Sequence, residues 1–169
     1  MTLTLPPITT GLRRTIEALA GHELQIPAGI LVFIGRNAET DTWFAVRPSI
    51  NRHNAWFWED PIIALDPIRD ARWLRGLIPL PGEGFYTLPE TMKLGDGGQW
   101  LENAIVQLGY NQKGEGILFV AERREGAGDN DLHFGTGGLI ISDALLGRLR
   151  WAPILPVPAP PPPTGRPSN

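Results

Sequence analysis

The sequence predicts an α+β domain, a mostly antiparallel sheet of about five or six strands covered by about four helices. Three observations lead there. Two uninterrupted apolar runs, ILVFI at 30–34 and ILFVA at 117–121, have the length of strands buried on both faces. Helix start and stop residues recur around four segments with apolar positions three and four apart. Short polar links join the strand-like runs, and the strict β-α-β alternation of a doubly wound fold is missing.

Taken in order, a helix is expected over 11–20, with Thr9 or Thr10 as N-cap, Gly21 as stop, and Leu12, Ile16 and Leu19 on one face. Strands follow at 30–34, 43–46 and 55–58, the first two joined by a hairpin loop over 36–42. Asp66-Pro67 announces a second helix that carries Ile68, Ala71 and Leu74 inward and ends at Gly76. A third is expected over 99–108, with Leu101, Ala104, Ile105 and Leu108 on one side and Gly109 beyond it. Strands at 117–121 and 139–141 bracket a loop over 124–131 and a strand-like piece at 132–134. A fourth helix opens at Ser142 or Asp143, buries Leu145, Leu146 and Leu149, and sets Arg148 and Arg150 at its negative pole. The ordered domain is expected over 1–152. From Pro153 proline dominates, including the run Pro160 to Pro163, and 153–169 reads as a disordered tail favouring polyproline II.

Composition narrows the function classes. With 42% hydrophobic and 20% charged residues the chain is globular rather than disordered. A net charge of −3 and a pI near 5.6 argue against nucleic acid as primary partner, because a phosphate backbone calls for a basic excess. Cysteine is absent, which excludes disulfides, thiolate catalysis and Cys-ligated metal sites. The opening MTLTLPPITT lacks a basic n-region and a long apolar stretch, so no signal peptide is expected there. No run approaches the ~18 apolar residues of a membrane-spanning helix, and the expected address is cytoplasmic.

Motifs that would fix a reaction are missing. The segment 126–138 gathers Asp129, Asp131 and His133 among glycines, as a Ca²⁺ loop does, but it lacks tandem copies and an EF-hand's closing glutamate, and reads as a polar hairpin loop. His22, His53 and His133 stand at no ligand spacing. Ser49 and Ser142 sit in no nucleophile elbow, and Ser142 reads as a helix cap. Glu122 and Glu125 read as a hairpin end rather than a catalytic pair. Gly95-Asp96-Gly97-Gly98 precedes an expected helix, yet has neither the lysine nor the spacing of a phosphate loop. No cofactor and no metal ligand is expected.

Two features point to contacts. Trp43, Phe44, Trp56, Phe57 and Trp58 crowd one stretch, with Trp56 and Trp58 on the face opposite Phe57. They form either an aromatic core or a partner surface. Arg69, Arg72 and Arg75 step along the second helix beside Trp73, either as a solvated face or as a stripe for an acidic partner. The expectation is a non-enzymatic protein-binding subunit, of accessory, regulatory or immunity type, with Trp56, Trp58, Arg69, Arg72, Trp73 and Arg75 as partner-binding residues. The alternatives are a small-molecule-binding domain or enzyme, with Trp43, Trp56 and Trp58 lining a pocket and His53 or Glu59 as polar group, and a structural component of a phage or bacterial assembly.

Overall fold

The computed structural model describes residues 7–123 and 132–152. Its elements, in chain order, are β1 (Gly11–Arg14), β2 (Leu31–Arg36), β3 (Trp43–Arg52), β4 (Ala55–Leu65), α1 (Ala71–Gly76), β5 (Ile78–Pro79), β6 (Gly84–Thr87), β7 (Met92–Lys93), β8 (Gln99–Trp100), β9 (Ile105–Tyr110), β10 (Gly116–Arg123), β11 (Leu132–Phe134), β12 (Leu139–Ile140), α2 (Asp143–Leu146) and β13 (Arg150–Trp151). Every strand pair is antiparallel. The first sheet runs β4-β3-β2-β1-β5. The second runs β11-β10-β9-β6-β13, with β12 also on β10, and β7-β8 is a separate ribbon.

This corrects the α+β expectation: the fold is mostly antiparallel β, and among the described residues two short helices stand where about four were expected. Over 11–20 the chain is strand β1, then turns. Leu12 enters one core while Arg13 faces the other side, a period of two that β1 needs as a strand paired on both edges. Thr15 ends it, its hydroxyl donating to the Pro27 carbonyl at 2.8 Å and accepting the Ile30 N–H. Over 99–108 the chain is β8, a turn and β9. Here Val106, Leu108 and Tyr110 alternate into the core, so the residues that suggested a helical face belong to a period-two strand. The second helix begins later than expected. Asp66 does cap, accepting the N–H groups of Ile68 and Arg69, but it closes a turn, and α1 covers only 71–76. The fourth shrinks to α2, with the Ser142 hydroxyl capping the Leu145 N–H and Gly147 at its end.

Two cores hold the layers. Between the sheets, Leu12, Leu31, Tyr86, Leu88, Val106, Leu108, Tyr110 and Leu118 interlock. On the opposite face of the first sheet, α1 and the 15–30 segment press Trp73, Leu74, Leu77, Leu19 and Ile26 onto Val32, Ile34, Ala45, Ile63 and Leu65. The first sheet is therefore covered on both sides, which is why β2 carries no alternation. The β3–β4 hairpin turns at His53-Asn54, whose positive φ values of 52° and 63° are those of a type I′ turn. Its tip docks on β9 through Gln107, which donates to the His53 carbonyl and accepts from the Asn54 amide.

The expected tail at 153–169 and the loop at 124–131 lie outside the described residues. Among the described residues no helix is long and apolar enough to cross a membrane.

Candidate protein-interaction site

The outer face of α1 follows from what its inner face must do. Trp73 and Leu74 turn inward onto the first sheet, and the Trp73 indole N–H donates to the Glu17 carbonyl at 2.9 Å. Their immediate neighbours Arg72 and Arg75 then face out, about 100° round the helix. Arg72 has 92% of its side chain in solvent, and Arg69 and Arg75 are exposed with it. Ile68, four residues before Arg72, is 87% exposed.

These arginines are unequally compensated. Arg69 forms an ion pair with Asp70 at 2.9 Å, which raises the guanidinium pKa and lowers that of the carboxyl. Arg72 reaches Glu17 only at 3.8 Å. Arg75 has no acidic partner within ion-pair distance among the described residues.

Two grooves flank this end of the helix and share Leu77. One, of about 210 Å³, lies between Ile16, Glu17, Arg72, Trp73 and Leu77. The other, of about 300 Å³, is lined by Arg13 and Arg75 over Ile34, Leu74, Leu77 and Pro79. Glu17 offsets Arg72 at the rim of the first groove, whereas the second sets two arginines over an apolar floor and suits an anchor side chain flanked by acidic groups.

The residues expected to bind a partner do not all meet here. Arg69, Arg72 and Arg75 share the surface, and Trp73, 8% exposed, lies beneath it. Trp56 and Trp58 sit across the first sheet, packed on the intersheet core. The Trp56 indole donates to the Tyr110 carbonyl at 2.7 Å, and the Trp58 ring lies 5.8 Å from Phe33. Trp43 belongs to the α1-side core, under the Arg36 guanidinium at 5.5 Å. Trp43 therefore lines a different core from Trp56 and Trp58, and these three rings share no pocket. His53 stands at the hairpin tip, Glu59 is exposed on β4, and His133 is exposed on β11. The Ser49 hydroxyl is used locally, donating to the Phe57 carbonyl. Gly95–Gly98 forms the turn of the β7–β8 ribbon rather than a helix start, with Asp96 accepting the Gly98 N–H. Asp129, Asp131 and Glu125 lie outside the described residues. Among those described, no group of three or more His, Cys, Asp or Glu gathers.

Sequence reasoning missed a second polar cluster. In the turn from β5 to β6, the Tyr86 hydroxyl donates to the Gly82 carbonyl and the Tyr110 hydroxyl to the Pro81 carbonyl, at 2.7 and 2.8 Å. Glu83 projects from this turn between the sheets. One carboxyl oxygen accepts the Trp56 main-chain N–H at 3.0 Å, and the other is buried with no partner among the described residues. Burial pushes the Glu83 pKa up to about 7, against the smaller opposing effect of the Trp56 bond. The only signal in the sequence was a lone carboxylate in a Gly-Glu-Gly turn before an aromatic pair.

Glu83 makes stability depend on pH. Its folded pKa lies above the unfolded value near 4.5, so the fold disfavours the ionised form. Stability is complete below about pH 4.5, falls as pH rises through about 7, and stays reduced above it. Because the side chain is partly exposed, the loss is about 1–2 kcal/mol rather than the full value of the shift. Urea denaturation of wild type and Glu83→Gln at pH 5 and pH 8 measures it. The wild type is expected to lose that amount relative to the variant, and a constant difference would show that the carboxyl is solvated.

No protein-family model, curated protein or solved structure matches the chain.

Proposed function

We propose that this chain is a protein-binding subunit, accessory, regulatory or immunity-type, that docks a partner on the outer face of α1 through Arg72, Arg75 and the grooves beside Leu77. The observation that carries the reading is the coincidence of apolar grooves and under-compensated arginines at one end of one helix. Exposed Ile16 and Ile68 extend the apolar part of the surface. Such a face fits an acidic partner segment with apolar anchors, since arginine offers planar, paired donors to carboxylates. Trp73 serves beneath it by fixing the helix on the sheet. Trp56 and Trp58 enter as core residues that hold the β3–β4 hairpin.

Replacing Arg72 and Arg75 together by glutamate tests this. Both side chains are exposed, so folding is expected to survive within about 0.5 kcal/mol. Partner recovery with the tagged protein is expected to fall about tenfold or more, with the remaining binding more salt-tolerant. A partner retained at full stoichiometry by the R72E/R75E variant, with unchanged salt dependence, would remove this face from the interface.

A further inference from the structure

Arg13 is the cation of this surface that the sequence did not bring forward. It projects from β1 on the α1 side, and its guanidinium is held by neutral oxygens: the Leu12 carbonyl at 2.8 Å, the Thr9 carbonyl at 2.9 Å and the Thr9 hydroxyl. Several described arginines are matched with acids, whereas Arg47, Arg52, Arg75 and Arg150, like Arg13, have none within ion-pair distance among the described residues. Arg14 pairs with Asp143, Arg36 with Asp41, Arg69 with Asp70 and Arg148 with Glu90. Arg13 is set apart by its burial. It is half-buried, burial alone lowers its pKa, and no carboxylate lies within ion-pair distance among the described residues.

The same groove holds Arg75, likewise without an acid, and every other lining residue is uncharged. A desolvated cation without a counter-charge is unfavourable, and a carboxylate brought to it is correspondingly favoured. A guanidinium has five N–H donors, and the bonds to Thr9 and Leu12 leave some of them free while fixing the plane of the group.

We infer that the groove between Arg13 and Arg75 is a carboxylate anchor, which takes an aspartate or glutamate of an extended partner segment while Ile34, Leu74, Leu77 and Pro79 receive its apolar neighbours. The inference rests on the docking reading above and adds the chemistry of the ligand. Charge complementarity selects the occupant, since the groove offers positive charge over an apolar floor.

The test uses the full chain and two synthetic peptides, acetyl-Leu-Asp-Leu-Asp-Leu-amide and its counterpart with both aspartates replaced by asparagine. Amide NMR titration is expected to show the acidic peptide binding about tenfold more tightly, with shifts centred on Leu74 and Leu77. Arg75→Gln, on an exposed side chain, and the double variant R13Q/R75Q are each expected to reduce the preference, the double variant to near parity. Equal affinity for the two peptides, or a preference unchanged in both variants, would overturn the anchor. A chain lacking residues 1–6, which precede the groove-lining Pro7, is expected to keep the preference; its loss would make those residues part of the site and overturn the anchor as drawn. Peptide preference decides the anchor, whereas partner recovery by R72E/R75E decides the docking face, so failure of one is read separately from failure of the other.

Discussion

Leu108→Ala is expected to destabilise the protein by about 3–4 kcal/mol and to lower its Tm by roughly 10 °C. Leu108 is fully buried on β9 and packs in the core between the sheets. Its loss leaves a void that the two sheets, each pinned by its own hydrogen-bonded ladder, can only partly close. Leu101→Ala is the informative comparison. A helix over 99–108 would set Leu101 and Leu108 on one buried face, so both changes would be costly. In the β-fold Leu101 lies in the turn before β9 and is 60% exposed, and its replacement is expected to cost about 0.5 kcal/mol or less. Thermal and urea denaturation of the two variants side by side measure the contrast. Equal losses would contradict the strand.

Gly109→Ala is expected to cost about 2–3 kcal/mol although it adds a single methyl group. A Cβ at this position would stand 2.6 Å from the Asn54 carbonyl oxygen, so the tip of the β3–β4 hairpin would have to lift from β9. The Gln107 bonds to His53 and Asn54 would go with it. The effect is local before it is global. Amide exchange in the hairpin tip is expected to rise more than exchange in β2, and a uniform rise across both would show that the tip does not depend on this approach.

The strands were legible where burial on both faces left uninterrupted apolar runs. The run at 30–34 became β2, near the middle of the first sheet, and the run at 117–121 became β10, between β9 and its outer partners. The helices were misread for one physical reason. Short strands that leave one apolar face can also satisfy a spacing of three or four, and Leu101, Ala104, Ile105 and Leu108 did so while the buried set was Val106, Leu108 and Tyr110. Leu12, Ile16 and Leu19 failed similarly: the first faces one core, the last faces the other, and Ile16 is 58% exposed. Capping chemistry fared better, because Asp66 and Ser142 accept local N–H groups whether or not a long helix follows.

At the candidate site, the exposed stripe of Arg69, Arg72 and Arg75 was legible from its three-residue spacing beside the inward Leu74. Trp73, expected on that surface, is buried beneath it, and Ile68, expected inward, is 87% exposed. Arg13 was hidden inside an expected helix, and its place opposite Arg75 depends on α1 crossing the first sheet. Glu83 was hidden because one carboxylate in a glycine-rich turn carries no local sign of burial. Both depend on contacts between elements distant in the chain.

The docking face is tested most directly by covalent capture. A photo-reactive phenylalanine analogue in place of Ile16, at the rim of the α1 groove, is compared with the same analogue in place of Leu101, an exposed residue on the second sheet's side of the molecule. Irradiation in native lysate is expected to give one discrete adduct from position 16, absent from position 101 and lost when Arg72 and Arg75 are reversed to glutamate. An adduct from position 101 alone, or one at position 16 that survives the charge reversal, would contradict docking on α1.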